Sequence, residues 1–276
     1  MSEPVNFIQS MNRIADFFDA EYADYADDLP VLEAYAARTG GPLLELGCGT
    51  GRVLVPLAQA GYDVTGADIS PAMLARAQAR AAEAGVAGRV HLVEGDYASA
   101  PLAGPYKFAF IVMNTFLHLP DRASQLAALR HWRDHLAPRG LLLIDVFHPD
   151  VAQLAALDGR LEWDRTWKNG DTGEMVMKFV TRTVNLAEQL MHVNMLYDAT
   201  TPEGQLRRTI VSYDARYIWR FEGELLLEQA GYTVEGIYGD WDMSPFESAS
   251  DRMIFVARRT PYQGAEAYSV TVAVGG

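Results

Sequence analysis

Glu45, Gly47, Gly49 and Gly51 alternate through PLLELGCGTGR, Pro42 to Arg52, around the apolar residues Leu43, Leu44 and Leu46. A chain uses glycine where the backbone must take left-handed angles or let a ligand touch the main chain, because glycine has no Cβ. Amides of such a turn, followed by a helix N-terminus, point at whatever binds above the strand. A dinucleotide fingerprint reads G-x-G-x-x-G, but the third glycine position here is Arg52. That spacing argues against a nicotinamide oxidoreductase. Asp68, about twenty residues past the glycines, can accept both hydroxyls of a ribose, the alternative being a surface turn aspartate. Cys48, the single cysteine, has no histidine near it in sequence and reads as a small residue that fits the turn rather than a nucleophile. His118 and His148 stand where strands are expected to end, as candidate bases or as packing residues. Trp241 lies in GDWDMSPFE, whose aromatics and carboxylates form either a pocket for a cationic or polar group or a solvated loop.

The elements that would position these residues follow from the hydrophobic pattern. Leu43–Leu46 is a strand, the glycines a turn, and Val53–Ala60 a helix stopped by Gly61. Tyr62–Ala67 is a second strand ending at Asp68, after which Ser70 caps a helix with Pro71 at its first position. Arg89–Glu94 and Tyr106–Met113 are strands three and four, leading to Asp96-Tyr97 and to Asn114. A helix begins at Asp121 with Leu126, Leu129, Trp132 and Leu136 on one face. Leu141–Val146 is a strand buried on both faces. From about Asp150 to Arg216 the helix–strand alternation lapses. Four strands (161–168, 174–186, 191–199 and 206–217), divided by Asn169-Gly170, Asp171-Thr172-Gly173 and Pro202-Glu203-Gly204, read as an antiparallel insertion. A helix over Phe221–Ala230 and strands over Tyr232–Tyr238 and Arg252–Ala257 then complete the core. Ahead of it all, Phe7, Ile8, Met11, Ile14, Ala15 and Phe18 predict a helix, followed by an Asp- and Tyr-rich segment ended by Pro30.

A net charge of −13 argues against a sequence-independent nucleic-acid binder, which needs a basic footprint. No apolar run approaches a membrane span. The lone cysteine and the absence of signal-peptide patterning lead to the expectation of a cytoplasmic protein. A homodimer is an open option for its assembly.

LELGCGTGR, Asp68, Gly95-Asp96-Tyr97, the Asn114 strand end and LAPRGLLLIDVF, taken in register, resemble the class I S-adenosyl-L-methionine (SAM)-dependent methyltransferases. The placement of the insertion resembles their small-molecule branch, which includes amino-sugar N,N-dimethyltransferases and glycine-type N-methyltransferases. The resemblance implies an α/β fold: a Rossmann-like seven-stranded sheet with helices on both faces and an antiparallel β insertion after strand five. It divides the chain into an N-terminal helical cap (1–41), a SAM-binding core (42–149), a β lid for substrate (150–216), a C-terminal completion of the sheet (217–259) and a tail (260–276). It implies SAM as cofactor and S-adenosyl-L-homocysteine (SAH) as product, held by Tyr22, Glu45, Gly47, Cys48, Gly49, Arg52, Asp68, Ile69, Asp96, Tyr97 and Asn114, with Asp96 at the adenine. Tyr25, His118, His148 and Trp241 are the expected contacts to a small-molecule acceptor, with His118 the candidate catalytic base. No metal is expected. Transfer to nitrogen is favoured over oxygen, because an amine carries its own lone pair. The alternative is a protein that binds SAM or SAH without transferring methyl.

Overall fold

The computed structural model describes residues 7–170 and 172–260. Helix α1, Phe7–Glu21, is followed by α2, Leu29–Thr39. The core then alternates β1 (Leu43–Leu46), α3 (Leu54–Gln59), β2 (Val64–Asp68), α4 (Pro71–Glu83), β3 (Val90–Glu94), β4 (Tyr106–Ile111), α5 (Arg122–His135) and β5 (Leu136–Phe147). A short α6, Val151–Ala155, leads into β6 (Glu162–Lys168), β7 (Met175–Asn185), β8 (Leu190–Thr200) and β9 (Leu206–Arg216). The chain returns through α7 (Arg220–Ala230), β10 (Tyr232–Tyr238) and β11 (Arg252–Arg259).

The main sheet has seven strands in the order β10-β11-β5-β4-β1-β2-β3. Its strands run parallel except β11, which is antiparallel to both β5 and β10. The order reverses between β1 and β4, and that switch point is where open α/β sheets bind ligands. Leu43, Leu44, Leu46 and the β5 run Leu141–Ile144 are buried on both faces, one face covered by α5 and α7 and the other by α2, α3 and α4. The four-stranded sheet β6-β7-β8-β9 is antiparallel throughout. It packs Val176, Val193, Tyr197 and Val211 against Ile14, Ala15 and Phe17 of α1, so the first helix lies between the lid and the core.

Three elements depart from the expectation. Pro30 does not close the acidic segment but stands in the first turn of α2, a position where its missing N–H costs nothing. β5 starts five residues earlier than the apolar run, at Leu136, carrying Arg139 at φ 63° and a register shift against β4. Asp150, read as the start of the insertion, caps α6 by accepting from Gln153 N at 2.8 Å. Of the expected tail, all but Thr260 lies outside the described residues.

Candidate functional site

The glycine turn is held to the sheet by Ala67 O, which accepts from Gly47 N at 2.8 Å and Cys48 N at 3.1 Å. Gly47 (φ 70°) and Gly49 (φ 53°) both take left-handed angles. Their surroundings differ. A Cβ on Gly47 would collide with Thr115, whereas one on Gly49 would meet nothing within 4 Å among the described residues. Gly49 therefore faces open space, as a main chain approached by a ligand must.

Asp68 closes the other side. Its Oδ2 accepts from Gly49 N at 2.8 Å and its Oδ1 from Ser70 N at 2.9 Å. A carboxylate has about four lone-pair sites, so acceptor capacity remains for a ligand. Burial raises its pKa, and the amides of Ser70, Gly49 and Ile69 oppose that shift by stabilising the anion. Ser70 caps α4 through Met73 N and Pro71 opens that helix, as the sequence predicts.

Glu45, inside β1, is 3 % exposed, and its Oε2 has no hydrogen-bond partner among the described residues. Burial pushes its carboxyl well above the usual range, against the charge of Arg52 and a main-chain bond from Leu54. Arg52 is held in turn by Asp28, with Nη1 to Oδ1 at 2.8 Å, and by Tyr25, whose ring lies 4.8 Å from the guanidinium. Burial also pushes up the Cys48 thiol, which keeps it protonated and unreactive.

Helix α1 roofs this floor. Asn12 Oδ1 accepts from Ser70 Oγ at 2.6 Å, and Asp19 Oδ1 from Thr50 Oγ1 and from Arg80 at 2.6 Å each. Sequence reasoning missed these anchors. The signal was present, since Asn12, Asp16 and Asp19 form one polar stripe beside the apolar stripe of the same helix. Glu21 joins the roof to the lid: it accepts from Lys178 Nζ at 2.6 Å and from Tyr197 OH at 3.0 Å.

Floor and roof enclose a cavity with about 1000 Å³ of empty space, counting its mouth. Of the residues expected to hold a cofactor, Tyr22, Glu45, Gly47, Cys48 and Gly49 line it, as do Arg52, Asp68, Ile69 and Tyr97. His118 lines it too, with Met195, Tyr197 and Tyr213 contributed by the lid. A second cleft, about 940 Å³, shares Tyr22, Met113, His118 and Tyr213 with the first. Tyr25 and Asn114 line that one.

Three other expected contacts do not line these two spaces. Asp96 is exposed and lines neither space, its Oδ1 accepting from Ala98 N at 2.9 Å in a local turn. His148 bonds through Nδ1 to Ser250 O at 2.8 Å, stacks edge-on against Phe246 and reaches neither space. Trp241 is buried behind the second cleft, donating from Nε1 to Tyr25 OH at 3.0 Å. The carboxylates around it also stand outside, and Asp240 is largely exposed. In their place the second cleft presents Arg165 and Arg252.

His118 lies between Phe7 and the edge of Tyr213, with ring centroids 5.0 and 4.9 Å away. Burial lowers its pKa to about 4, only partly opposed by a bond to the Asp214 main chain. Nδ1 has no hydrogen-bond partner among the described residues. In the tautomer that carries its proton on Nε2, Nδ1 has a lone pair free for a donor.

A glycine main chain open on one side, a buried carboxylate with spare acceptor capacity, an unpaired buried carboxyl oxygen and a neighbouring cleft thus meet at the sheet's switch point, where open α/β sheets bind ligands. Residues 43–140 match the methyltransferase domain family, and over those residues the chain is a SAM-dependent methyltransferase domain. It is 25% identical, over 94% of its length and all of the relative's, to the cypemycin N-terminal methyltransferase of a Streptomyces species. Its fold matches the CcbJ methyltransferase from Streptomyces caelestis at TM-score 0.75, 23% identity and coverage of 94% and 100% of the two chains. It also matches the sugar N-methyltransferase KedS8 from Streptoalloteichus at TM-score 0.71, 21% identity and coverage of 94% and 96%. No described helix is long and apolar enough to cross a membrane. Among the described residues no group of three or more His, Cys, Asp or Glu is placed to hold a metal ion.

Proposed function

We propose that this chain transfers the SAM methyl group to an amine of a small molecule. SAM supplies an electrophilic methyl on a sulfonium. Gly47 and Gly49 would lie against the cofactor, Asp68 would accept from its ribose hydroxyls, and Glu45 Oε2 would accept from its ammonium. Ile69 and Tyr97 would pack about the base, and Tyr22 would cover the site from the α1 end. The lid and α1 exclude water, which strengthens every polar interaction inside. The lid supplies part of both walls, so we assign it a share in cofactor binding as well as the choice of acceptor.

The observation that carries the nitrogen reading is His118. An imidazole with a pKa of about 4 is a poor acceptor for a hydroxyl proton, whereas a neutral amine needs no base before it attacks. The free Nδ1 lone pair would instead accept an N–H of the acceptor and align its nitrogen. Two of the similar proteins, the cypemycin N-terminal methyltransferase and the sugar N-methyltransferase KedS8, have nitrogen acceptors by name, which supports the same reading. The free, buried Cys48 fits a reducing compartment, and we place the enzyme in the cytoplasm. The test is mass spectrometry of products from acceptors offered in pairs, amine against the matching alcohol, with isotopically labelled SAM. Label on amines supports the reading; label confined to alcohols overturns it.

A further inference from the structure

We propose that the acceptor carries a carboxylate, bound in the second cleft by Arg165 and Arg252, while its amine reaches past His118 toward the cofactor. The proposal deepens the amine reading and rests on it. Four residues are common to both spaces, so a ligand in the cleft touches the wall of the cofactor cavity.

Arg165 and Arg252 are the only charged side chains that line the cleft among the described residues, His118 being neutral. Arg165 comes from β6 and is fixed by Nη1 donating to Glu21 O at 3.0 Å, with its guanidinium 5.5 Å from the Tyr22 ring. Arg252 comes from the first residue of β11, with Nη1 on Asp145 Oδ1 at 2.7 Å and its guanidinium 5.7 Å from the Trp241 ring. Neither Nη2 makes a hydrogen bond among the described residues. The carboxylates Asp164, Asp145 and Asp240 lie beside these guanidiniums without lining the cleft. They orient the two forks and offset part of their charge, which suits a monoanion better than a dianion. A guanidinium edge matches carboxylate geometry.

The same two cations favour catalysis on nitrogen. Positive charge near an amine disfavours its protonated form, so the cleft raises the fraction of acceptor able to attack. An acidic pocket, as the Asp240–Glu247 segment suggested in sequence, would do the reverse.

The test is binding and turnover of a defined panel: glycine, sarcosine, β-alanine and diglycine, each with its amide, plus the hydroxy acids lactate and 3-hydroxypropanoate. Saturation-transfer NMR on the SAH-loaded protein should show the amino acids bound at least tenfold more tightly than their amides. Arg165→Gln should weaken the amino acids by about 10–100-fold, through loss of a charge-assisted bond, and leave amides and SAM unchanged. Arg165→Lys should restore part of the loss. Binding of no panel carboxylate by the wild type, equal binding of acids and amides, or an unaltered Arg165→Gln overturns the carboxylate site. Arginine-dependent methylation of hydroxy acids but not amino acids keeps the site and overturns the amine reading instead.

Discussion

Asp68→Ala removes the residue that joins the glycine turn to the ligand space, and its effect can be worked from the contacts. In the folded protein Asp68 satisfies two main-chain donors, Gly49 N and Ser70 N, at 2.8 and 2.9 Å. Leaving both without a buried partner costs about 1–3 kcal/mol each, unless water enters to replace the carboxylate. Binding loses in addition the hydrogen bonds to the ribose, an effect of on the order of 1–3 kcal/mol, or about 5- to 150-fold in Kd. The two losses separate experimentally. Urea unfolding without ligand reports the first, and calorimetric titration with SAM, under conditions where the variant is folded, reports the second. If the variant unfolds more easily yet binds SAM with wild-type affinity, Asp68 is a structural link and the ribose assignment is wrong.

Gly49→Ala should cost only about 1–2 kcal/mol in stability, the penalty for a left-handed alanine, while calorimetry shows SAM affinity falling, because the new Cβ enters open space that the cofactor occupies. Unchanged affinity would mean the cofactor lies elsewhere. Glu21→Ala should destabilise by about 1–3 kcal/mol in chemical unfolding, since it takes the partner from the buried Tyr197 OH and leaves Lys178 with Asp164 alone, at 3.1 Å. A loss under 1 kcal/mol would show that the roof-to-lid link is slack. His118 has its folded pKa lowered from 6.5 to about 4, so the unfolded chain binds more protons between those values and stability falls as pH drops through that window. His118→Asn should flatten the decline by about 3 kcal/mol in unfolding measured at pH 7 and pH 4; parallel curves would refute the buried neutral imidazole.

The core and the lid strands were legible because their signals are local. The apolar run into Gly47, the Ser70-Pro71 cap and the Asn169-Gly170 turn each fix structure within a few residues. Helix α2 was missed because Pro30 was read as a stop, when a proline in a helix's first turn is a start signal. The site was half legible. Gly47, Gly49 and Asp68 are brought together by one β-α-β unit, so sequence order places them. The acceptor cleft is different: Arg165 reaches Glu21 across 144 residues of sequence, and Arg252 reaches Asp145 across 107. No local pattern encodes how the lid docks. The Asp240–Glu247 carboxylates carried the apparent charge signal, yet only Arg252, just beyond them, lines the cleft.

The central claim is methyl transfer to a neutral amine without an enzymic base, and the pH profile of kcat/KM tests it most directly, measured for wild type and His118→Asn with acceptors of different amine pKa. The profile should rise with deprotonation of each acceptor's amine and move with that amine's pKa. His118→Asn should keep the same shape and lose less than the roughly 10²–10⁴-fold that follows removal of a general base. A break at one fixed pH for every acceptor, abolished in His118→Asn together with a loss inside that range, would contradict the account and make His118 the base.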